Sequence, residues 1–407
     1  MDRDETSILR FGGPNEPPIP PYTSSAASPL RHDRIVVLTF PLLPAAHDWT
    51  LQDADGVTRT PNYEALAARY GDILVKPEKS AAGGGEQVQE TMLFADFLDR
   101  VRSGEALYLR DWHLVRELRT RGERKEEEHQ QGFYDCPLWF RDDWLNGFLD
   151  QDGEDDYRFV YIGGPNTYTL LHCDVLHSYS WSANICGTKT WTFFPPSQTP
   201  HLSNARNEQI TDIRTASTTQ FPAFHSQTTP ITLTQMPGEI VCVPSGWYHQ
   251  VVNSPHGTTI SINHNWINAR ALPAMVEGIA ADVAYIRNAI AEHRGKMVGG
   301  EMGWSAHCQM AVGASNAGFA YPRLWKFLAF HAARLLRLCG GGGGGGGKPW
   351  EDAEAVAEGL TAVLTAWSAL RADEWAAVHG KLNDDLTLFE QLGAAVAALR
   401  EGAGANS

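Results

Sequence analysis

Between about residues 157 and 268 the chain breaks into short apolar runs. In them, aromatic and β-branched residues alternate with small or polar ones. RFVYIGG, TYTLLHCDV, SYSWSANICG, TKTWTFFPP, EIVCVP and TTISINHNW occur in this order, punctuated by Gly, Pro and Asn. Side chains two residues apart in a strand share a face, so a period of two predicts strands. A succession of short strands predicts a sandwich or barrel. On either side the period lengthens. ETMLFADFLDRVRSG (90–104) and LPAMVEGIAADVAYIRNAIAEH (272–293) repeat apolar residues at helical spacing, and 300–400 is Ala- and Leu-rich with the same habit.

The expected organisation is a mainly β core over 133–270 between two flanks. One is a mixed, partly helical region over 32–132, and the other is a helical region over 271–407. Residues 1–31, rich in Pro, Ser and Gly, are expected to be disordered. Lys79–Glu86 reads as a second soft spot, and the charge run 121–130 as a solvated helix face or loop. Gly340–Gly347 reads as a flexible linker, because no Gly-Lys-Ser or Gly-Lys-Thr follows to make a phosphate loop.

Composition narrows the classes. Of 407 residues, 43% are hydrophobic, enough for a sizeable core. Lys plus Arg is 33 against 48 Asp plus Glu, a net −15. That argues against broad electrostatic binding of nucleic acid and suits a basic protein substrate better. Apolar stretches are interrupted well short of the ~18 residues of a membrane span, and the first residues show no apolar signal core. Six cysteines without a CxxC pair read as reduced thiols, so cytoplasm or nucleus is the expected location.

The sharpest chemical signal is His172-Cys173-Asp174. In a strand, positions 172 and 174 share a face, and an imidazole and a carboxylate there can reach one metal. His249, in PSGWYHQVVN, is the candidate third ligand. Two His and one carboxylate make the facial set of non-haem Fe(II) oxygenases, with positions left open for other ligands. An isolated His-x-Asp is a common chance pattern, and its neighbours raise its weight. Thr169 lies three residues before His172, and Lys189 lies in the β run GTKTWTFFPP. A dicarboxylate cosubstrate needs a cation and a hydroxyl donor, and a bound carboxylate would offset the penalty of a buried ammonium. The bland reading of Lys189 is a solvent-facing position on an amphipathic strand. His177, His201, His225 and His256 read as solvent-facing, and His264 as a satisfied core histidine.

These residues resemble the JmjC (jumonji) 2-oxoglutarate oxygenases over roughly 158–270. The wording SYSWSANICGTKTW, VPSGWYHQVVN and TISINHNWIN is most similar to a branch that hydroxylates a lysine of the eukaryotic translation termination release factor. The resemblance implies a double-stranded β-helix (a cupin, or jelly-roll, core) with flanking helical parts. It implies Fe(II) on His172, Asp174 and His249, with 2-oxoglutarate as cosubstrate and O2 as oxidant. Thr169 and Lys189 would hold the distal carboxylate. Asn184, Asn263, Asn265 and Tyr161 are further implied cosubstrate contacts. Trp181, Trp191, Trp247 and Trp266 fit as core or pocket-wall packing. The implied partner is a protein substrate, the release factor, with no direct nucleic-acid or membrane partner. The rivals are an N-methyl-lysine demethylase, a non-catalytic cupin scaffold and a zinc hydrolase on the same ligands.

Overall fold

The computed structural model describes residues 8–18, 34–39, 43–54, 59–79, 88–122, 133, 136–152, 157–296, 299–315, 318–340, 353–372 and 386–404. The strands, in chain order, begin with β1 (Leu9–Phe11), β2 (Val36–Thr39), β3 (Thr50–Gln52), β4 (Arg59–Pro61), β5 (Leu74–Val75), β6 (Glu78–Lys79), β7 (Val88–Gln89), β8 (Met92–Leu93) and β9 (Leu107–Trp112). The central series is β10 (Arg158–Gly163), β11 (Tyr168–Cys173), β12 (Tyr179–Cys186), β13 (Lys189–Phe194), β14 (Ile231–Gln235), β15 (Glu239–Val243), β16 (Tyr248–Asn253) and β17 (Thr259–Trp266). Helices α1 (Pro44–Asp48), α2 (Tyr63–Tyr70), α3 (Phe94–Arg102), α4 (Leu114–Thr120) and α5 (Trp144–Asp152) precede that series, and α6 (Pro222–Gln227) interrupts it. After it come α7 (Leu272–Ala289), α8 (Gly300–Ser315), α9 (Tyr321–Gly340), α10 (Ala353–Ala372) and α11 (Leu386–Gly404).

Two sheets form the core. The larger runs β1-β2-β15-β12-β17-β10-β9-β6-β7, and the smaller runs β11-β16-β13-β14. This is the jelly-roll core with helical flanks expected from the strand pattern. The larger sheet also recruits strands from before residue 133. The β-branched run at Val36–Thr39 pairs with β15, and β9 pairs with β10. Both are single runs in a helical texture, where no succession of strands announces them. Leu9–Phe11, inside the segment expected to be disordered, forms a parallel edge strand on β2. Residues 1–7 and 19–31 of that segment lie outside the described residues, as do 80–87, 123–132 and 341–352, which hold most of the other expected soft spots. The helical repeat at 90–104 is realised only from Phe94, because Met92 and Leu93 pair with β5.

Alternation along the central strands separates two jobs. On β12, Tyr179, Trp181, Ala183 and Ile185 join the main apolar core with Ile260, Ile262 and Trp266 of β17. Phe140, Leu272, Leu324 and Leu328 from the helical layer complete that core. Ser180 and Ser182 of β12, with Ser261, Asn263 and Asn265 of β17, have the opposite parity and meet the smaller sheet. A second apolar cluster, with Val37, Trp191, Phe193, Val241 and Trp247, plugs the space between the sheets. The large sheet is thus buried on both faces, apolar toward the helices, and toward the interior apolar at β2 and β15 but polar along β12 and β17. Truncating a fully buried tryptophan such as Trp181 would cost about 3–5 kcal/mol.

Candidate metal centre and its cavity

His172 and His249 are direct cross-strand partners on β11 and β16, with ring centroids 4.2 Å apart. Asp174 follows the end of β11. One donor atom from each of His172, Asp174 and His249 lies within 4.8 Å of the others, close enough to share an ion. Each imidazole is oriented the same way. His172 Nδ1 donates to Leu170 O (2.8 Å), and His249 Nδ1 to Trp247 O (3.2 Å). That leaves Nε2 of both rings as the ligating lone pair, the usual outer-shell device for a metal-bound histidine. Burial first, and the His172 ring second, hold His249 well below its ordinary pKa, so it stays a neutral donor.

The carboxylate is clamped from both sides. Ser180 Oγ donates to Asp174 Oδ2 (2.7 Å), and Asn265 Nδ2 to Asp174 Oδ1 (2.8 Å). A carboxylate has about four lone-pair sites, so these bonds fix its plane and still leave one for a cation. Asn265 Nδ2 also donates to Ser178 Oγ (3.0 Å), which places this amide on the ligand carboxylate rather than on a cosubstrate. The turn after Asp174 is unusual, with left-handed backbone at Leu176 (φ 59°) and His177 (φ 48°).

Lys189 enters the same cavity from β13 and is 2% exposed. Its Nζ donates to Ser261 Oγ (2.6 Å) and sits 5.4 Å from the centroid of the Tyr161 ring. No carboxylate among the described residues lies within ion-pair distance. Burial alone lowers its pKa to about 7. The solvent-facing reading of Lys189 therefore fails, and the ammonium lacks the counter-charge that a bound carboxylate would supply. Thr169 lines the cavity and donates to the Tyr108 hydroxyl (3.5 Å). Asn263 Oδ1 accepts from Ser182 Oγ (2.9 Å) and Ser261 Oγ (3.0 Å), joining the floor beneath Lys189 to the rest of β17. Tyr161 also lines the cavity.

Asn184 is not brought to the cavity. It has the parity of Ser180 and Ser182 but lies beyond them, near the turn before β13, and donates to Gly187 O (2.8 Å). His264 has the opposite parity. It packs 2% exposed on the helix side, with Nε2 2.8 Å from Asp143 Oδ2 and against the Trp181 ring at 5.1 Å. His177, His225 and His256 are exposed and His201 half-buried, all apart from the ligand set. Trp181, Trp191, Trp247 and Trp266 are buried packing.

Sequence reasoning missed Tyr108, Ser180, Ser182 and Ser261. The three serines alternate with apolar residues on their strands, so their parity with Asn263 and Asn265 was a usable signal. Tyr108 is fully buried, and burial raises its hydroxyl pKa to about 12, so it remains a neutral hydrogen-bonding group. Its only signal was the short run LYLRDW (107–112).

Comparison with known proteins gives the same centre a context. The cupin-like domain family matches residues 43–271. The chain is 35% identical over 289 residues to the 2-oxoglutarate and iron-dependent oxygenase JMJD4 of Mus musculus, covering 68% of this chain and 64% of that protein. It is 32% identical over 289 residues to the protein of the same name from Homo sapiens, covering 68% and 65%. It is 38% identical over 249 residues to the arginine-specific demethylase JMJ20 of Arabidopsis thaliana, covering 55% and 50%. The chain thus spans just under two thirds of the length of the oxygenases it matches. Among the described residues no helix is long and apolar enough to cross a membrane.

Proposed function

The chain belongs to the cupin-like domain family, and on that footing we propose that it is an Fe(II)- and 2-oxoglutarate-dependent protein oxygenase. The reading is carried by one cavity that holds both a two-histidine, one-carboxylate set and a buried ammonium with no acidic partner among the described residues. The donor set fits iron(II) with open positions, and the ammonium fits the far carboxylate of 2-oxoglutarate. A zinc hydrolase on the same ligands gives Lys189 no task. Bound together with O2, iron and 2-oxoglutarate supply the oxidising power to hydroxylate a C–H bond, with succinate and CO2 released.

The residues of the chain supply everything else. His172, Asp174 and His249 bind the metal, and the Leu170 and Trp247 carbonyls orient the two rings. Ser180 and Asn265 hold the carboxylate plane. Lys189, Thr169 and Tyr108 take the distal carboxylate, with Tyr161 and Asn263 beside them. Trp191 and Val251 wall the cavity and limit water, which strengthens each polar contact inside.

At finer grain, the reaction is lysyl hydroxylation of the eukaryotic translation termination release factor, in the cytoplasm. Support comes from the release-factor-branch wording around Tyr179–Trp191 and Val243–Asn253, and from a net charge of −15 that suits a basic partner. The Arabidopsis relative named as an arginine-specific demethylase favours a second reading, N-demethylation by the same centre. Two measurements decide. Anaerobic absorbance with Fe(II) should show a charge-transfer band on adding 2-oxoglutarate, lost in His172→Ala; no band sinks the oxygenase reading. Mass spectrometry of a release-factor peptide should show one added oxygen on lysine without formaldehyde. Formaldehyde release from a methylated peptide, with no stable hydroxylation, selects demethylation.

A further inference from the structure

Asp111 holds a φ of 54° in β9, a conformation that L side chains other than Asn and Asp seldom adopt. The ladder is irregular there. Val160 opposes Trp112 and Ile162 opposes Leu109, so Arg110 and Asp111 together face Tyr161. This is a β-bulge, a device that re-aims a side chain. Here it turns the Asp111 carboxylate onto the Tyr161 hydroxyl, which donates to Oδ1. Tyr161 is itself a wall of the metal cavity. The Asp111 side chain is 52% exposed and also lines an adjoining cleft of about 300 Å³, with Leu74, Trp112, His113 and Glu117 among its walls.

The neighbouring cation does not neutralise Asp111. Arg110 Nε lies 4.0 Å from Asp111 Oδ2, but the same guanidinium is gripped by Glu78, Nε to Oε2 at 2.8 Å and Nη2 to Oε1 at 3.0 Å. Glu78 thus takes both short guanidinium bonds and leaves Asp111 only the 4.0 Å contact, in a cleft that Lys76, Arg116 and Glu117 also line. A strained residue held in place by its surroundings is a feature of binding sites.

We propose that Asp111 anchors the cationic side chain of the polypeptide substrate. Its carboxylate pairs with an ammonium or guanidinium that enters from the cleft and lies on the outer side of Tyr161, a wall of the metal cavity. The inference rests on the oxygenase reading and names the residue that gives that site its preference for basic side chains. A charge fixed at one point limits which carbon can approach the metal, so the pair selects the reacting position as well as the residue type.

The test uses the full chain loaded anaerobically with Fe(II) and 2-oxoglutarate. The probes are a labelled release-factor peptide and the same peptide with norleucine in place of its target lysine. Asp111→Asn keeps an acceptor for Tyr161 and tolerates left-handed backbone, and Asp111→Gly removes the side chain without backbone strain. The wild type should bind the lysine peptide about tenfold more tightly than the norleucine peptide. Both variants should bind the two peptides equally. Retention of the wild-type preference in both variants, or no preference in the wild type, overturns the proposal. The Fe(II)–2-oxoglutarate absorbance is read on the same samples before peptide is added, so the oxygenase reading fails or stands separately.

Discussion

At the scale of single residues, the site is built from groups whose partners are incomplete or doubly committed. Lys189 is the clearest case, a buried ammonium that among the described residues donates to a serine hydroxyl and meets no carboxylate. Its pKa near 7 has a consequence for cosubstrate binding. A bound carboxylate favours the charged form, so binding above pH 7 must take up a proton and below it need not. The Kd for 2-oxoglutarate should therefore be nearly flat below pH 7 and rise up to about tenfold per pH unit above it. Lys189→Met should weaken binding and abolish that slope, which calorimetric titration between pH 6 and 9 would show; a retained slope assigns the proton elsewhere. The Asp174 clamp makes a second claim. Asn265→Ala or Ser180→Ala leaves all three ligands in place yet should lower Fe(II) affinity by about 10- to 100-fold, as outer-shell losses do. Competition with a chromophoric chelator measures this directly, and unchanged affinity would mean that the clamp is ornamental to the metal.

At the scale of elements, strand parity sorts the polar residues. His249 and His264 are both buried histidines on central strands, yet His249, on the smaller sheet, faces the cavity between the sheets and His264, on the larger, faces the helices. His264→Ala should cost about 1–3 kcal/mol by opening a cavity and removing one hydrogen bond from Asp143, whose carboxylate Asn146 still holds, while metal stoichiometry stays at one per chain. His249→Ala should do the reverse, losing metal with a smaller change in the unfolding midpoint. Urea denaturation and metal analysis of both proteins settle it, and metal loss in His264→Ala would break the parity argument. The same parity explains what could be read in advance. The strands after 157, the pairing of positions 172 and 174, and the core role of His264 follow from a period of two and local chemistry. The direct opposition of His172 and His249 does not, because register between distant strands is a tertiary property. Asn184 had the right parity but the wrong depth along the strand, which alternation cannot report. Tyr108 and Asp111 sit on an isolated strand in a helical setting, and the bulge that aims Asp111 has no sequence signature of its own.

At the scale of the whole molecule, the β core depends on a helical layer that closes the outer face of its large sheet. The joint between them passes through α5 and α9. His331 of α9 stacks on Trp144 of α5 (ring centroids 4.6 Å apart, planes at 17°), and its Nε2 donates to the Trp144 carbonyl at 3.1 Å. Trp144 N in turn donates to Ile267 O, just beyond β17, so the helix pair is tied to the strand that carries Asn263 and Asn265. Burial first, and the Arg334 charge second, hold His331 well below its ordinary pKa. The folded state therefore keeps His331 neutral where the unfolded chain protonates it. Stability from this group is complete above the unfolded pKa of about 6.5 and is lost as pH falls below it. From pH 7 to pH 5 the loss is bounded by protonation of the unfolded group, at most about 1.4 kcal/mol per pH unit. His331→Phe keeps the stacked ring but cannot titrate. Its free energy of unfolding in urea should fall by less than the wild type's over that interval, whatever its value at pH 7. Equal losses in the two proteins would mean that the acid sensitivity of the chain lies outside this joint. A smaller loss in His331→Phe places part of the acid sensitivity of the chain at the contact between the helical layer and the β core, next to the strand that positions the site.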